Sequence, residues 1–175
     1  RETGRDLDIA VRGEGWIAVQ APDGSEAYTR AGSLQITPLG QLLTGNGLPV
    51  LGNRGPIAIP DAAKVEIGED GTITVRGLGQ GPEALADVDR IRLVNPPEQQ
   101  LEKRADGLVY TRDGARAPVD ARVSVASGFL EGSNVNTVEA LTEMLALARQ
   151  YEVQVKLMKT VDENTEVAAR LLPLG

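Results

Sequence analysis

From Arg1 to about Gly132, apolar positions come in short runs that alternate with polar ones. Leu7, Ile9 and Val11 alternate with Asp6, Asp8 and Ala10, and Leu34 and Ile36 alternate with Ser33 and Gln35. A period of two is the mark of a strand with one face buried. On that pattern Asp6 and Asp8 share one strand face. Trp16-Ile17-Ala18-Val19, Ile57-Ala58-Ile59, Val65-Glu66-Ile67, Ile73-Thr74-Val75, Ile91-Arg92-Leu93 and Val123-Ser124-Val125 are short β-rich runs of the same kind. Between them stand Asp23-Gly24, Asn46-Gly47, Asp70-Gly71, Asp106-Gly107 and Asp113-Gly114. Such pairs supply the positive φ of tight hairpin turns, here expected as two-residue loops. The pattern predicts about ten short strands.

After Gly132 the pattern changes. From Asn136 to Leu172 there is neither Gly nor Pro, and helix formers dominate. Asn136 and Glu139 have capping-box spacing, and Pro173 ends the run. A helix over this span is about 55 Å long at 1.5 Å per residue. Apolar residues recur at spacings of three and four: Leu141, Met144, Ala148, Tyr151, Val155 and Met158. The register passes the polar Asp162 and Thr165 and returns to Ala169 and Leu172. This is a heptad seam, widened by Val138, Leu145, Leu147, Val161, Val167 and Leu171. The fold class expected is mainly β, an irregular multi-hairpin domain over 1–130, with one long coiled-coil-forming helix in 131–175 and a linker at about 128–136. A long amphipathic helix is stabilised mainly by packing, and no second long helix is present to pair with it. Its stripe is therefore expected to be covered by another segment or subunit, or the tail to fray.

Composition removes most chemistry. The 175 residues hold no Cys and no His, so disulfides, zinc sites and His-assisted nucleophiles are absent. The net charge of −7 argues against binding nucleic acid or an anionic membrane. No apolar run approaches the roughly 20 residues of a spanning helix, and no signal peptide opens the chain. Gly13-Glu14-Gly15 and Gly45-Asn46-Gly47 lack the spacing of a phosphate loop. Asp87-x-Asp89 lacks the other ligands of a calcium loop. The acidic pairs Asp6/Asp8 and Glu69-Asp70 read as solvated charges and turn formers. No catalytic, cofactor-binding or metal site is expected, and no cofactor. The aromatic content of 3% leaves the core to Leu, Ile, Val and Ala. Trp16 and Phe129 are expected as core or interface anchors.

Leu130-Glu131-Gly132-Ser133-Asn134-Val135-Asn136, with Glu139, Met144 and Arg149-Gln150-Tyr151-Glu152, resembles the C-terminal signature of the flagellar axial proteins, the rod and hook family. Leu7-Asp8-Ile9-Ala10-Val11-Arg12-Gly13-Glu14-Gly15-Trp16 is similar to the family's opening to its β domain. Tyr28-Thr29-Arg30-Ala31-Gly32-Ser33-Leu34, Gly40-Gln41-Leu42-Leu43 and Gly47-Leu48-Pro49-Val50-Leu51-Gly52 follow in the family's order. Within the family, Lys156-Leu157-Met158-Lys159-Thr160-Val161-Asp162-Glu163-Asn164 resembles the proximal-rod member.

The resemblance implies a structural, non-enzymatic subunit of the bacterial flagellar basal-body rod. It implies export by the flagellar type III apparatus and a place in the periplasm-spanning rod. Partners would be other rod subunits, neighbouring axial proteins, and an N-terminal helix of the full-length chain, expected ahead of Arg1. N- and C-terminal helices would pair as a coiled coil in the tubular core, the β domain making lateral contacts. Neither nucleic acid nor membrane insertion is implied. A distal-rod or hook sibling is one alternative. A secreted carbohydrate-binding or carbohydrate-active β module is the alternative of another class.

Overall fold

The computed structural model describes residues 1–79, 81, 84–132 and 137–171, the last segment with side chains at Thr142, 144–161 and Asn164. It is mainly β, with a single C-terminal helix, and divides into two units, Arg1–Gly132 and Ser133–Gly175.

The first unit holds strands β1 (Ile9–Arg12), β2 (Trp16–Gln20), β3 (Glu26–Thr29), β4 (Leu34–Ile36), β5 (Leu42–Thr44), β6 (Leu51–Gly52) and β7 (Gly55–Pro56). They are followed by β8 (Ala62–Ile67), β9 (Thr72–Gly77), β10 (Leu85–Arg90), β11 (Leu93–Val94), β12 (Leu101–Lys103), β13 (Val109–Thr111) and β14 (Ser124–Ser127). The largest sheet has the order β11-β2-β3-β13-β12, and a second runs β10-β9-β8. The pairs β1-β14, β4-β5 and β6-β7 complete the unit, every pairing antiparallel.

Strand β2 stands between two core clusters. Ile17 and Val19 point into one apolar cluster, with Ile9, Leu42, Ile73 and Val125. Ala18 points the other way, into a smaller cluster around Tyr28, Val94 and Val109. A strand buried on both faces reads as a continuous apolar run, as Ile17-Ala18-Val19 does. Tyr28 and Tyr110 join the aliphatic core, and Tyr28 is fully buried. Its hydroxyl donates to Glu26 Oε1 at 2.9 Å and accepts the Ala117 N–H at 2.8 Å, so its polar end is satisfied. Burial pushes the Tyr28 phenol up to about 12.

The turns differ from expectation in an instructive way. At the β2–β3 connection Gly24 N–H donates to Ala21 O, and Ala21 N–H to Ser25 O. The same two bonds recur at Thr37–Gln41, Thr44–Leu48, Gly68–Thr72 and Arg104–Leu108. These are three-residue loops, a type I turn closed by a glycine at positive φ, not two-residue ones. The reason is that no residue other than glycine takes a positive φ here, and a two-residue I′ turn needs two such residues. In the Asp-Gly loops the aspartate Oδ1 accepts the N–H two residues on, as Asp23 does from Ser25 at 2.9 Å and Asp106 from Leu108 at 2.9 Å.

Two further expectations change. Ile57 and Ile59 are buried, but Ala58 forms only an isolated bridge to Gln41, so no strand runs there. Asp6 and Asp8 do not share a strand face: strand β1 starts at Ile9, Asp6 is exposed and Asp8 is fully buried.

The two ends of this unit lie side by side. Glu2 bridges Phe129, Leu130 N–H donates to Arg1 O at 2.8 Å, and Thr3 N–H to Gly128 O at 2.8 Å. Asp8 joins the arrangement, its carbonyl accepting the Gly128 N–H at 2.7 Å and its carboxylate held by Arg5 Nε at 2.9 Å and by Arg5 Nη2. Gly32 allows the close approach of this segment, because a Cβ there would sit 1.7 Å from Ile9 O.

In the second unit, helix α1 covers Thr137–Leu171, 35 residues, or about 52 Å at 1.5 Å per residue. Asn136, the expected cap, lies outside the described residues.

Candidate assembly interface

Helix α1 is continuous, and every side chain described on it is exposed. At about 100° per residue, Met144, Ala148, Tyr151, Val155 and Met158 fall within an arc of about 80°. Met144 is 67% exposed, Tyr151 70% and Met158 64%. The tail is helical through Leu171, and the described part of the stripe is exposed. Leu141 and Ala169 lie in the helical backbone, but their side chains are outside the described residues, as is Leu172 altogether.

The stripe has a second component that heptad counting missed. Val153 and Leu157 are also exposed, and Val153 stands about 180° from Met144 around the axis. A search at all helical angles, not only along one seam, would have found it. A helix apolar on more than one side suits burial among several neighbours better than a simple pair.

The first unit offers exposed apolar residues as well. Leu39 projects from the Thr37–Gln41 turn, Leu78 from the β9–β10 connection, and Leu85 from the start of β10. Phe129 is partly exposed, while Trp16 is half-buried against the smaller core cluster.

The carboxylates of the acidic pairs Asp8, Glu69, Asp70 and Asp87 are engaged in hydrogen bonds or ion pairs. The Arg5 guanidinium, hydrogen-bonded to Asp8, holds its carboxyl below the usual range despite burial. The Thr72 backbone and hydroxyl do the same for Asp70, which also pairs with Arg90 at 2.6 Å. Glu69 pairs with Arg12 at 3.0 Å, and Asp87 accepts from the Thr74 hydroxyl. A general acid needs the opposite shift, upward toward neutrality. Among the described residues no cluster of metal-ligating side chains occurs, and no helix is long and apolar enough to cross a membrane.

Comparison with known proteins gives this geometry a context. The family described as flagellar basal body rod FlgEFG protein C-terminal matches residues 126–171. The family described as flagellar hook protein FlgE/F/G D1 domain matches residues 10–75. The flagellar basal-body rod protein FlgF of Salmonella typhimurium is 42% identical over 99% of this chain and 71% of its own length. That of Escherichia coli is 44% identical over the same shares. The flagellar basal-body rod protein FlgG of Buchnera aphidicola from Acyrthosiphon pisum is 33% identical over 97% of this chain and 66% of its own length. With matches to both parts of the chain and 42–44% identity to FlgF proteins across almost all of it, the chain belongs to the flagellar basal-body rod protein family and is FlgF-like within it.

Proposed function

We propose that this protein is a non-enzymatic structural subunit of the basal-body rod that assembles through helix α1, while its β unit makes lateral contacts. The observation that carries the reading is the exposed apolar surface of α1, with Met144, Tyr151 and Met158 each more than half exposed. Exposed apolar area of that extent is stabilised only by a partner. The second strip at Val153 and Leu157 favours packing against more than one neighbour at once. Leu39, Leu78 and Leu85 are the residues on the β unit best suited to lateral contact. A structural rather than catalytic role is supported by carboxylates held low by hydrogen bonds and ion pairs.

The test is complementation of a strain lacking the gene with full-length protein carrying Met158→Asp. Loss of swimming and of completed rods, with the β unit folded, is the expected result. Normal rods with that substitution would refute α1 as the assembly element.

A further inference from the structure

Among the described residues of the β unit, Arg30 is one of the most heavily engaged side chains. It follows β3, and its guanidinium donates through Nη1 to Gly15 O at 2.9 Å and through Nη2 to Gly13 O at 3.0 Å. A longer Nη2 contact reaches Val11 O at 3.4 Å. Its Nε donates to Glu131 Oε2 at 2.6 Å, and the cation stands 6.0 Å from the centre of the Trp16 ring. One planar fork therefore ties the β1–β2 loop, the start of β2 and the last residues of the β unit. Only arginine presents donors in so many fixed directions; lysine offers a single point charge. Glu131 is no part of the core, and it stands next to Gly132, where the β unit ends. Its neighbour Leu130 is held by the backbone bond to Arg1 O. Pairing of β1 with β14 already brings the two ends of the unit together, and the Arg30–Glu131 link carries that closure past the last strand to the exit.

We infer that Arg30 is a positioning residue for assembly: its link to Glu131 fixes where the chain leaves the β unit on its way to helix α1. This deepens the assembly reading above and rests on it. A rod subunit must deliver its helix to the same place in every copy. An unanchored exit multiplies the conformations lost on assembly, a cost that preorganisation removes.

The experiment uses the full-length protein with Arg30→Lys or Glu131→Gln. Trp16 is the only tryptophan of the 175 residues, so fluorescence measured on this chain reports on this site, and amide exchange at Leu130 reports on the exit itself. Expected are exchange at Leu130 faster by about tenfold or more, as when one charge-assisted bond guarding a local opening is lost, and unchanged exchange at Ile17 and Val125. Arg30→Lys also alters Trp16 emission, and both variants impair swimming. Val19→Ala, which weakens the core without touching the exit, serves as comparison. If swimming falls no further in the Arg30 and Glu131 variants than in Val19→Ala at equal melting temperature, the positioning role is overturned. Unchanged Leu130 exchange in both variants overturns it as well. Swimming by a strain from which the gene is deleted would instead remove the assembly reading, whatever the exchange data show.

Discussion

Tyr151 offers the sharpest quantitative test of the helix. It is 70% exposed, in the middle of the arc from Met144 to Met158. Burying an aromatic side chain removes roughly 150–250 Å², so about 100–175 Å² remains to be covered on assembly. At about 25 cal/mol per Å² that contributes roughly 2.5–4 kcal/mol. Ordering the side chain costs about 0.5–1.5 kcal/mol, leaving a net of about 1–3.5 kcal/mol per contact. Tyr151→Ala is therefore expected to weaken each subunit contact by about fivefold to several hundredfold. In the lone chain the same change is expected to cost less than about 0.5 kcal/mol, the usual size for an exposed site. The assay pairs thermal unfolding of the purified chain with rod counts and swimming speed in a complemented deletion strain. Lys156→Ala, about 120° round the helix from Met144, is the control and should swim better. Rods formed at wild-type frequency by Tyr151→Ala would refute the reasoning. Equal impairment by Lys156→Ala would do so too.

Three further expectations concern the β unit. Tyr28→Phe strips the buried Ala117 N–H of its acceptor and Glu26 of a donor, and is expected to lower stability by about 2–4 kcal/mol in urea unfolding; a loss below about 0.5 kcal/mol would sink the network argument. Gly32→Ala should cost more than Gly24→Ala, because the first drives a Cβ into Ile9 O and the second meets open space and only its positive φ; the overpacking is expected to cost about 1–3 kcal/mol. Asp8 has a depressed pKa when folded, so its contribution is complete above the unfolded value of 3.8 and is lost as pH falls through the lower folded value. The urea midpoint should therefore drop below pH 4, and drop less steeply in Arg5→Gln, which removes the cause of the depression; parallel pH profiles would contradict the assignment.

Local chemistry determined much of this protein. Glycine and proline crowd into the part before Gly132 and are missing from Asn136 to Leu172, and that contrast alone separates β unit from helix. Runs such as Ile17-Ala18-Val19 and Ile73-Thr74-Val75 announce their strands because burial requires apolar side chains whichever strand pairs beside them. Helix α1 is equally legible, since helical propensity and spacing need no knowledge of the partner.

Other features were settled only by the tertiary structure. Strand β10, Leu85–Arg90, is half polar and has no fully buried residue, and it is a strand because β9 lies beside it. Asp8 looks like a surface charge until Arg5 folds over it and Ser33 approaches. Arg30 carries no local sign that it will hold Glu131, nor Glu2 that it will bridge Phe129. Each of these depends on residues brought together across the chain, and a linear pattern encodes only what a residue's near neighbours and its own burial demand. Long-range pairing is decided by the packing of the whole core, which is why the ends of the β unit could be placed side by side only once it was folded.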